Sequence, residues 1–170
     1  MSFGTTGISQ QDFDQIFNNW YEPVRNYIYY KSGDIQLSED IAQDTFMKIW
    51  EKRENIVLLT VQNLAFKIAG NLFLNRMNHQ KVTFGFVSEF QSGNNSESPE
   101  FELEMKEFDA KLQKALADLD EKKRTVFLMN RVDELTYSQI SGMLGITVKA
   151  VEKRMSKTLE ILRQKIDKNI

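Results

Sequence analysis

Cysteine is absent from this chain, which excludes disulfides and thiol chemistry and fits a reducing cytoplasm. Histidine occurs once, as His79, with no partners at ligand or nucleophile spacing, so no metal site is indicated there. Prolines number two, and no apolar run approaches the roughly 20 residues that a membrane-spanning helix needs. A soluble chain is expected. The N-terminus shows no basic start followed by an apolar core and a small-residue cleavage site, so export is not expected either. Basic charge is also in short supply: the formal net charge is −2, which at first argues against a nucleic-acid partner.

The distribution of charge reverses that argument. Between Phe84 and Asp109 the acids Glu89, Glu97, Glu100, Glu102, Glu104, Glu107 and Asp109 face a single base, Lys106. By contrast, Gln62 to Val82 carries Lys67, Arg76 and Lys81 with no acid, and Lys149 to Lys168 is predominantly basic. Screening over roughly 8 Å at physiological salt makes such patches act locally.

The most informative stretch runs from Thr136 to Leu162. Thr136 and Gln139 have the spacing of a capping box, and Ile140 and Leu144 share the inner face of the helix it would start. Gly145 then supplies a left-handed stop, and Thr147 caps a second helix with Val148, Val151, Met155, Leu159 and Leu162 at helical spacing. Lys149, Glu152, Lys153, Arg154, Ser156 and Lys157 occupy its other face. Asp120 to Val132, with Val126, Phe127 and Met129 apolar, predicts the supporting helix before a polar Asp133-Glu134 turn. Such a helix-turn-helix places its last helix in the major groove, where basic and hydroxyl groups suit phosphates and guanine acceptors.

Upstream, Ser9 and Asp12 predict the start of a long aromatic-striped helix carrying Phe13, Ile16, Phe17, Trp20, Val24, Tyr27 and Ile28. Pro23 should bend or interrupt it, and Lys31 to Asp34 should end it. Ser38 is read as the cap of a second helix with Ile41, Ala42, Phe46, Ile49 and Trp50 inward. Its outer face holds Asp40, Gln43, Asp44, Met47 and Lys48; two carboxylates without a third ligand indicate a solvated or partner-binding face, not catalysis. After an apolar loop from Arg53 to Leu59, Thr60 is read as the cap of a third helix to about Asn78. Leu64, Ala65, Ile68, Ala69 and Leu72 are expected inward, and Lys67, Asn71, Asn75 and Arg76 outward. From Phe84 to Pro99 the pattern breaks into a linker, in which Phe84, Phe86 and Phe90 are expected to pack on a neighbour. Ser98 and Pro99 then start a helix carrying Phe101, Met105, Phe108, Leu112, Leu116 and Leu119.

The expected fold class is all-α: a helical domain at 1–82, an acidic linker at 83–98, and a helix-turn-helix domain at 99–170. Three segments in this order, Ser38 to Trp50, Leu64 to Arg76, and Leu119 through Lys157, resemble the extracytoplasmic-function (ECF) subfamily of bacterial sigma-70 family RNA polymerase sigma factors. The resemblance covers nearly the whole chain. It implies that Asp40, Gln43, Asp44, Met47 and Lys48 meet the clamp helices of the polymerase largest subunit, and that the helix-turn-helix domain meets the flap. It also implies that Arg53 to Thr60, Asn55 included, form a loop receiving a base extruded from the non-template strand, a step costing a few kcal/mol that a pocket can offset. Arg53, Asn55, Asn71, Asn75, Arg76, His79 and Lys81 would contact the −10 DNA, and Lys149, Glu152, Lys153, Arg154, Ser156 and Lys157 the −35 major groove. Gly70 and Asn75 stand where the family more often has arginine and aspartate, and the basic tail at 77–81 is thin, which implies a shallower salt dependence there. An anti-sigma factor, commonly membrane-bound in the family, is the implied inhibitor, with the acidic linker and its phenylalanines as a contact.

On this reading the chain is a promoter-specificity subunit of cytoplasmic, bacterial origin, with core RNA polymerase and promoter DNA as partners, no cofactor and no small-molecule substrate. Two other readings stay open at this level: a helix-turn-helix regulator acting without the polymerase, and a helical adaptor that binds protein only. An enzyme is the weakest option, because no nucleophile–base pair, metal cluster or phosphate-cradling glycine loop is present.

Overall fold

The computed structural model describes residues 7–79 and 99–167, and every regular element among them is helical. The phenylalanines at 84, 86 and 90, Ser98 and Lys81 lie outside the described residues, as do the side chains of His79, Phe101 and Met105. Helix α1 spans Gln10–Ser32, α2 Ile35–Glu51 and α3 Val61–His79; α4 Pro99–Ala117, α5 Glu121–Arg131, α6 Tyr137–Leu144 and α7 Val148–Asp167 follow. Short 3-10 turns at Arg53–Asn55 and Leu58–Thr60 join α2 to α3.

Local signals set most of the starts and stops. The Ser9 hydroxyl accepts the Asp12 amide, and the Asp12 carboxylate accepts the Ser9 amide, closing the capping box that opens α1. Gly33 at φ 69° ends that helix, its amide donating to the Tyr29 carbonyl at 2.7 Å. Pro23 removes one intrahelical donor, yet α1 runs through it unbroken; Val24, Tyr27 and Ile28, all buried just beyond, hold the two halves in line.

Two expected caps are misplaced. Asp34, not Ser38, is the N-cap of α2, its carboxylate accepting the Leu37 amide at 3.0 Å. Ser38 is buried inside the first turn and donates to the Ile35 carbonyl at 2.7 Å. Thr60 does precede α3, but its hydroxyl donates back to the Val57 carbonyl at 3.1 Å and closes the 3-10 turn.

Around α1 the helices α2 and α3 bury Ile41, Ala42, Phe46, Ile49, Ala65, Phe66, Ala69 and Phe73. Each large side chain withdrawn from water contributes about 1.5–3 kcal/mol. Phe66 and Phe73 extend the expected inner face of α3, whose Leu64, Ile68 and Leu72 are only partly buried. The reason is that α3 touches α1, α2 and α6 at once, so its buried surface is wider than one stripe.

In the second half, α5, α6 and α7 bury Val126, Leu128, Met129, Ile140, Met143, Val151, Met155 and Leu162. On α7 the inner line passes through Thr158; Leu159 is exposed, and Val148, at the first turn, is 40% exposed. The two halves are packed together, α5 against α1 and α6 against α3, and the buried apolar residues of both form one cluster.

Candidate nucleic-acid interface

The turn between α6 and α7 is built as its chemistry requires. The Thr136 hydroxyl accepts the Gln139 amide at 3.3 Å, and the Gln139 side-chain oxygen accepts the Thr136 amide at 2.9 Å. Gly145 ends α6 at φ 63°, where a side chain would be strained, and the Thr147 hydroxyl accepts the Ala150 amide at 3.2 Å to start α7. Val151 and Met155 then point inward, which leaves Lys149, Glu152, Lys153, Ser156 and Lys157 exposed along one side of the helix. A row of two hydroxyl or amine donors per turn on a helix of this length matches a major groove.

Arg154 behaves differently. It is half-buried where its neighbours in the row are exposed, and its charge is the weakest of the influences on the Tyr27 hydroxyl of α1. Tyr27 itself is raised above its ordinary pKa, chiefly by burial, with the charge of Lys31 opposing. Its hydroxyl also explains Gly70: a Cβ there would sit 3.1 Å from the Tyr27 oxygen, so the missing side chain on α3 leaves room for this tyrosine.

On α3, Asn71 and Asn75 are exposed, one turn apart. Arg76 is brought instead to α2, its guanidinium 2.9 Å from Asp44 and 3.5 Å from Asp40. The structure thus joins one expected −10 residue to two expected polymerase-facing carboxylates. Gln43, Met47 and Lys48 remain open on the same helix, Met47 at 61% exposure. Asp40 and Asp44 therefore have a structural task, neutralising Arg76, and no group of three or more metal-ligating side chains occurs among the described residues.

The loop from Arg53 to Thr60 is pinned from an unexpected direction. The amides of Gly7 and Ile8 donate to the carbonyls of Ile56 and Arg53 at 3.1 and 2.9 Å, and Ile8 and Ile56 are buried beneath it. Arg53 lies over the Trp50 ring at 4.3 Å and donates to the Trp50 carbonyl at 3.0 Å, while Asn55 is exposed. Leu58 and Leu59 face outward, Leu59 at 89% exposure. The sequence marks this stretch as an apolar loop but does not single out these two leucines as its outward-facing members. Such a pinned loop with an apolar rim can hold a flat ring system.

Residues 109–162 match the family described as sigma-70, region 4. Over the full length, the chain is 24% identical to the ferric citrate uptake sigma factor FecI of Escherichia coli, across 94% of each chain. It is also 24% identical to the ECF RNA polymerase sigma factor SigW of Bacillus subtilis, across 92% of this chain and 90% of that one. The C-terminal third of the chain thus carries a sigma-70 region 4, and over its length the chain is similar to ECF sigma factors. Among solved structures, the sigma factor RpoE in complex with the anti-sigma factor NepR, from Bartonella quintana, superposes with a TM-score of 0.67 at 19% identity, over 92% of this chain and 98% of that one. CnrH in complex with the cytosolic domain of CnrY gives 0.62 at 20% identity, over 95% and 92%. The matched region begins within α4 and ends in α7, so it contains the whole capped turn and the exposed basic row.

Proposed function

We propose that this ECF sigma factor is a promoter-specificity subunit: it binds core RNA polymerase, reads the −10 and −35 promoter elements and assists strand opening. The observation that carries the reading is the coexistence, in one chain, of a capped helix-turn-helix with an exposed basic row and an α2 face that leaves Gln43, Met47 and Lys48 in solvent. A polymerase-independent regulator has no use for the second feature, and that reading leaves the full-length likeness to sigma factors without a cause.

In the proposed division, residues 1–82 grip the polymerase clamp and the −10 element, 83–98 link, and 99–170 read the −35 element and meet the flap. Lys149, Glu152, Lys153, Arg154, Ser156 and Lys157 face the −35 groove. Asn71 and Asn75 supply amide pairs for base edges of the −10 strand, and the loop at 53–60 accepts an extruded base. Asp40 and Asp44 orient Arg76 beside the α2 face. The work is binding and strand capture, with no covalent step and no cofactor, carried out in the bacterial cytoplasm and held in check by an anti-sigma factor. Reconstitution with core polymerase on a pool of genomic fragments tests it: transcripts from new, defined start sites are expected only when the protein is present. Unchanged start sites and no association with core polymerase would overturn it.

A further inference from the structure

The loop between α2 and α3 is braced by the short segment that leads into α1. Its two 3-10 turns, Arg53–Asn55 and Leu58–Thr60, are joined through Ile56 and Val57 in extended conformation, so the angle between the turns is set at this joint. Each turn closes on itself: the Asn55 amide donates to the Lys52 carbonyl, and the Thr60 amide to the Val57 carbonyl, both at 3.0 Å. The joint is fixed from outside. The Gly7 amide donates to the Ile56 carbonyl at 3.1 Å, the Ile8 amide donates to the Arg53 carbonyl at 2.9 Å, and the Ile8 and Ile56 side chains are buried. Immediately afterwards Ser9 and Asp12 close the capping box of α1, which ties the bracing segment to a long helix. Phe13, in the first turns of that helix, packs its ring 4.9 Å from that of Trp50, and Trp50 in turn carries the Arg53 guanidinium at 4.3 Å.

The outward side of this loop depends on that brace. Leu58 is exposed and Leu59 almost wholly so; they have little to pack on, and their direction is that of the backbone beneath them. A base drawn out of a duplex gives up its stacking, and a protein surface recovers the loss best when it already stands where the base arrives. A loop that had to order itself on binding would lose part of that recovery to conformational entropy. Gly7 allows the brace to be separated from packing. Its φ is 111°, which side chains rarely adopt, while a Cβ there would meet the Glu54 carbonyl at 3.7 Å, an ordinary contact. Substitution at Gly7 therefore strains the bond to Ile56 without filling or emptying any space.

We propose that Gly7 and Ile8 are positioning residues for strand capture: acting through the backbone of residues 53–60, they hold the loop in the shape that receives the extruded base. The inference rests on the base-capture reading of that loop, and its test separates the two. The full chain, bound to core polymerase, is titrated with a promoter recovered in the reconstitution above, its −10 non-template strand left unpaired and each base in turn replaced by an abasic site. Positions whose abasic form binds about fivefold or more weakly are the bases that the unaltered chain holds. Gly7→Ala and Ile8→Ala should bring at least one such ratio below about twofold and leave the others standing, and Ile8→Val should restore it. Val24→Ala removes buried methyl groups far along α1, in the same half, and should leave every ratio as it was. In the free protein, hydrogen exchange of the loop amides at 55–60 should quicken about fivefold or more in Gly7→Ala, with exchange in α6 and α7 unmoved. An unchanged abasic profile in both variants, a uniform loss at every position, or the same flattening in Val24→Ala overturns the positioning role. Unchanged exchange in Gly7→Ala overturns the brace by itself. A profile already flat in the unaltered chain overturns the base-capture reading, and the positioning role with it, while the exchange measurement still decides whether the segment braces the loop.

Discussion

Replacing Arg124 by methionine is expected to lower the stability of the chain by about 3 kcal/mol, and the figure can be built from its bonds. Three donations of 2.8, 2.8 and 3.1 Å reach the carbonyls of Tyr30, Leu119 and Lys31, and a longer one reaches Ala117 at 3.4 Å. A buried carbonyl left without its donor costs about 1–3 kcal/mol. The low end applies, because helix-end carbonyls can regain water if α1 and α5 move apart slightly. Methionine keeps much of the apolar stem, and it relieves the burial that holds the guanidinium's pKa below its ordinary value, which offsets part of the loss. At roughly 2–4 °C per kcal/mol for a chain of this size, the thermal midpoint should fall by about 6–12 °C. Lysine carries the charge as a single point and cannot fork toward both helix ends, so Arg124→Lys should recover less than half of the drop. Thermal unfolding followed by far-ultraviolet circular dichroism measures both. A midpoint for Arg124→Met within about 1 °C of wild type would mean that water already serves these carbonyls, and the clasp would have no energetic content.

Three further outcomes follow from the same geometry. Gly145→Ala should cost about 1 kcal/mol through backbone strain alone, since φ is 63° and nothing lies within 4 Å of the added Cβ; a loss beyond about 2 kcal/mol in denaturant titration would point to a clash that the structure does not contain. Lys153→Ala and Lys157→Ala should each flatten the plot of log affinity against log salt for promoter DNA by about one, measured on the polymerase complex, and an unchanged slope would remove that lysine from the phosphate contacts. Asp133 faces Tyr30 and Asn26, with Arg25 acting on Tyr30, and burial raises its pKa above 3.8. A carboxyl raised on folding favours the folded chain while protonated, a contribution complete below 3.8 and lost as pH climbs through the raised value. Asp133→Asn should therefore remove this contribution from the stability-against-pH profile measured by denaturant titration; a profile unchanged in the variant would exclude Asp133 as its source.

What could be read in the sequence was what short-range chemistry determines. The turn from Thr136 to Thr147 depends on two hydroxyl caps and one left-handed glycine within twelve positions, and the structure has each where its spacing placed it. Ser38 failed because two residues with capping chemistry, Asp34 and Ser38, stand four apart, and periodicity alone does not choose between them. The inner line of α7 was placed through Leu159 because apolar spacing alone was followed; Thr158 instead donates to the Arg154 carbonyl at 2.8 Å, which lets it be buried. Arg124 was hidden in the same way. It lies one turn before Leu128, on the buried side of α5, but a cation between Lys123 and Thr125 reads as solvated until the carbonyls of another helix are placed beside it. The approach of α1 to α5 and the pairing of Arg76 with Asp40 and Asp44 are likewise products of long-range packing.

The contact between the halves mixes two kinds of interaction. The buried apolar residues of both halves form one cluster, and parting them would expose hydrocarbon surface at about 25 cal/mol per Å². Across α1 and α5 the polar bonds run to two helix-end carbonyls, a carboxylate and a phenol. Exchanging such bonds for water changes free energy by about 0.5–1.5 kcal/mol apiece. The apolar cluster supplies attraction without direction, and the bonds of Arg124, Asp133 and Tyr30 are therefore what fixes the register of α5 on α1.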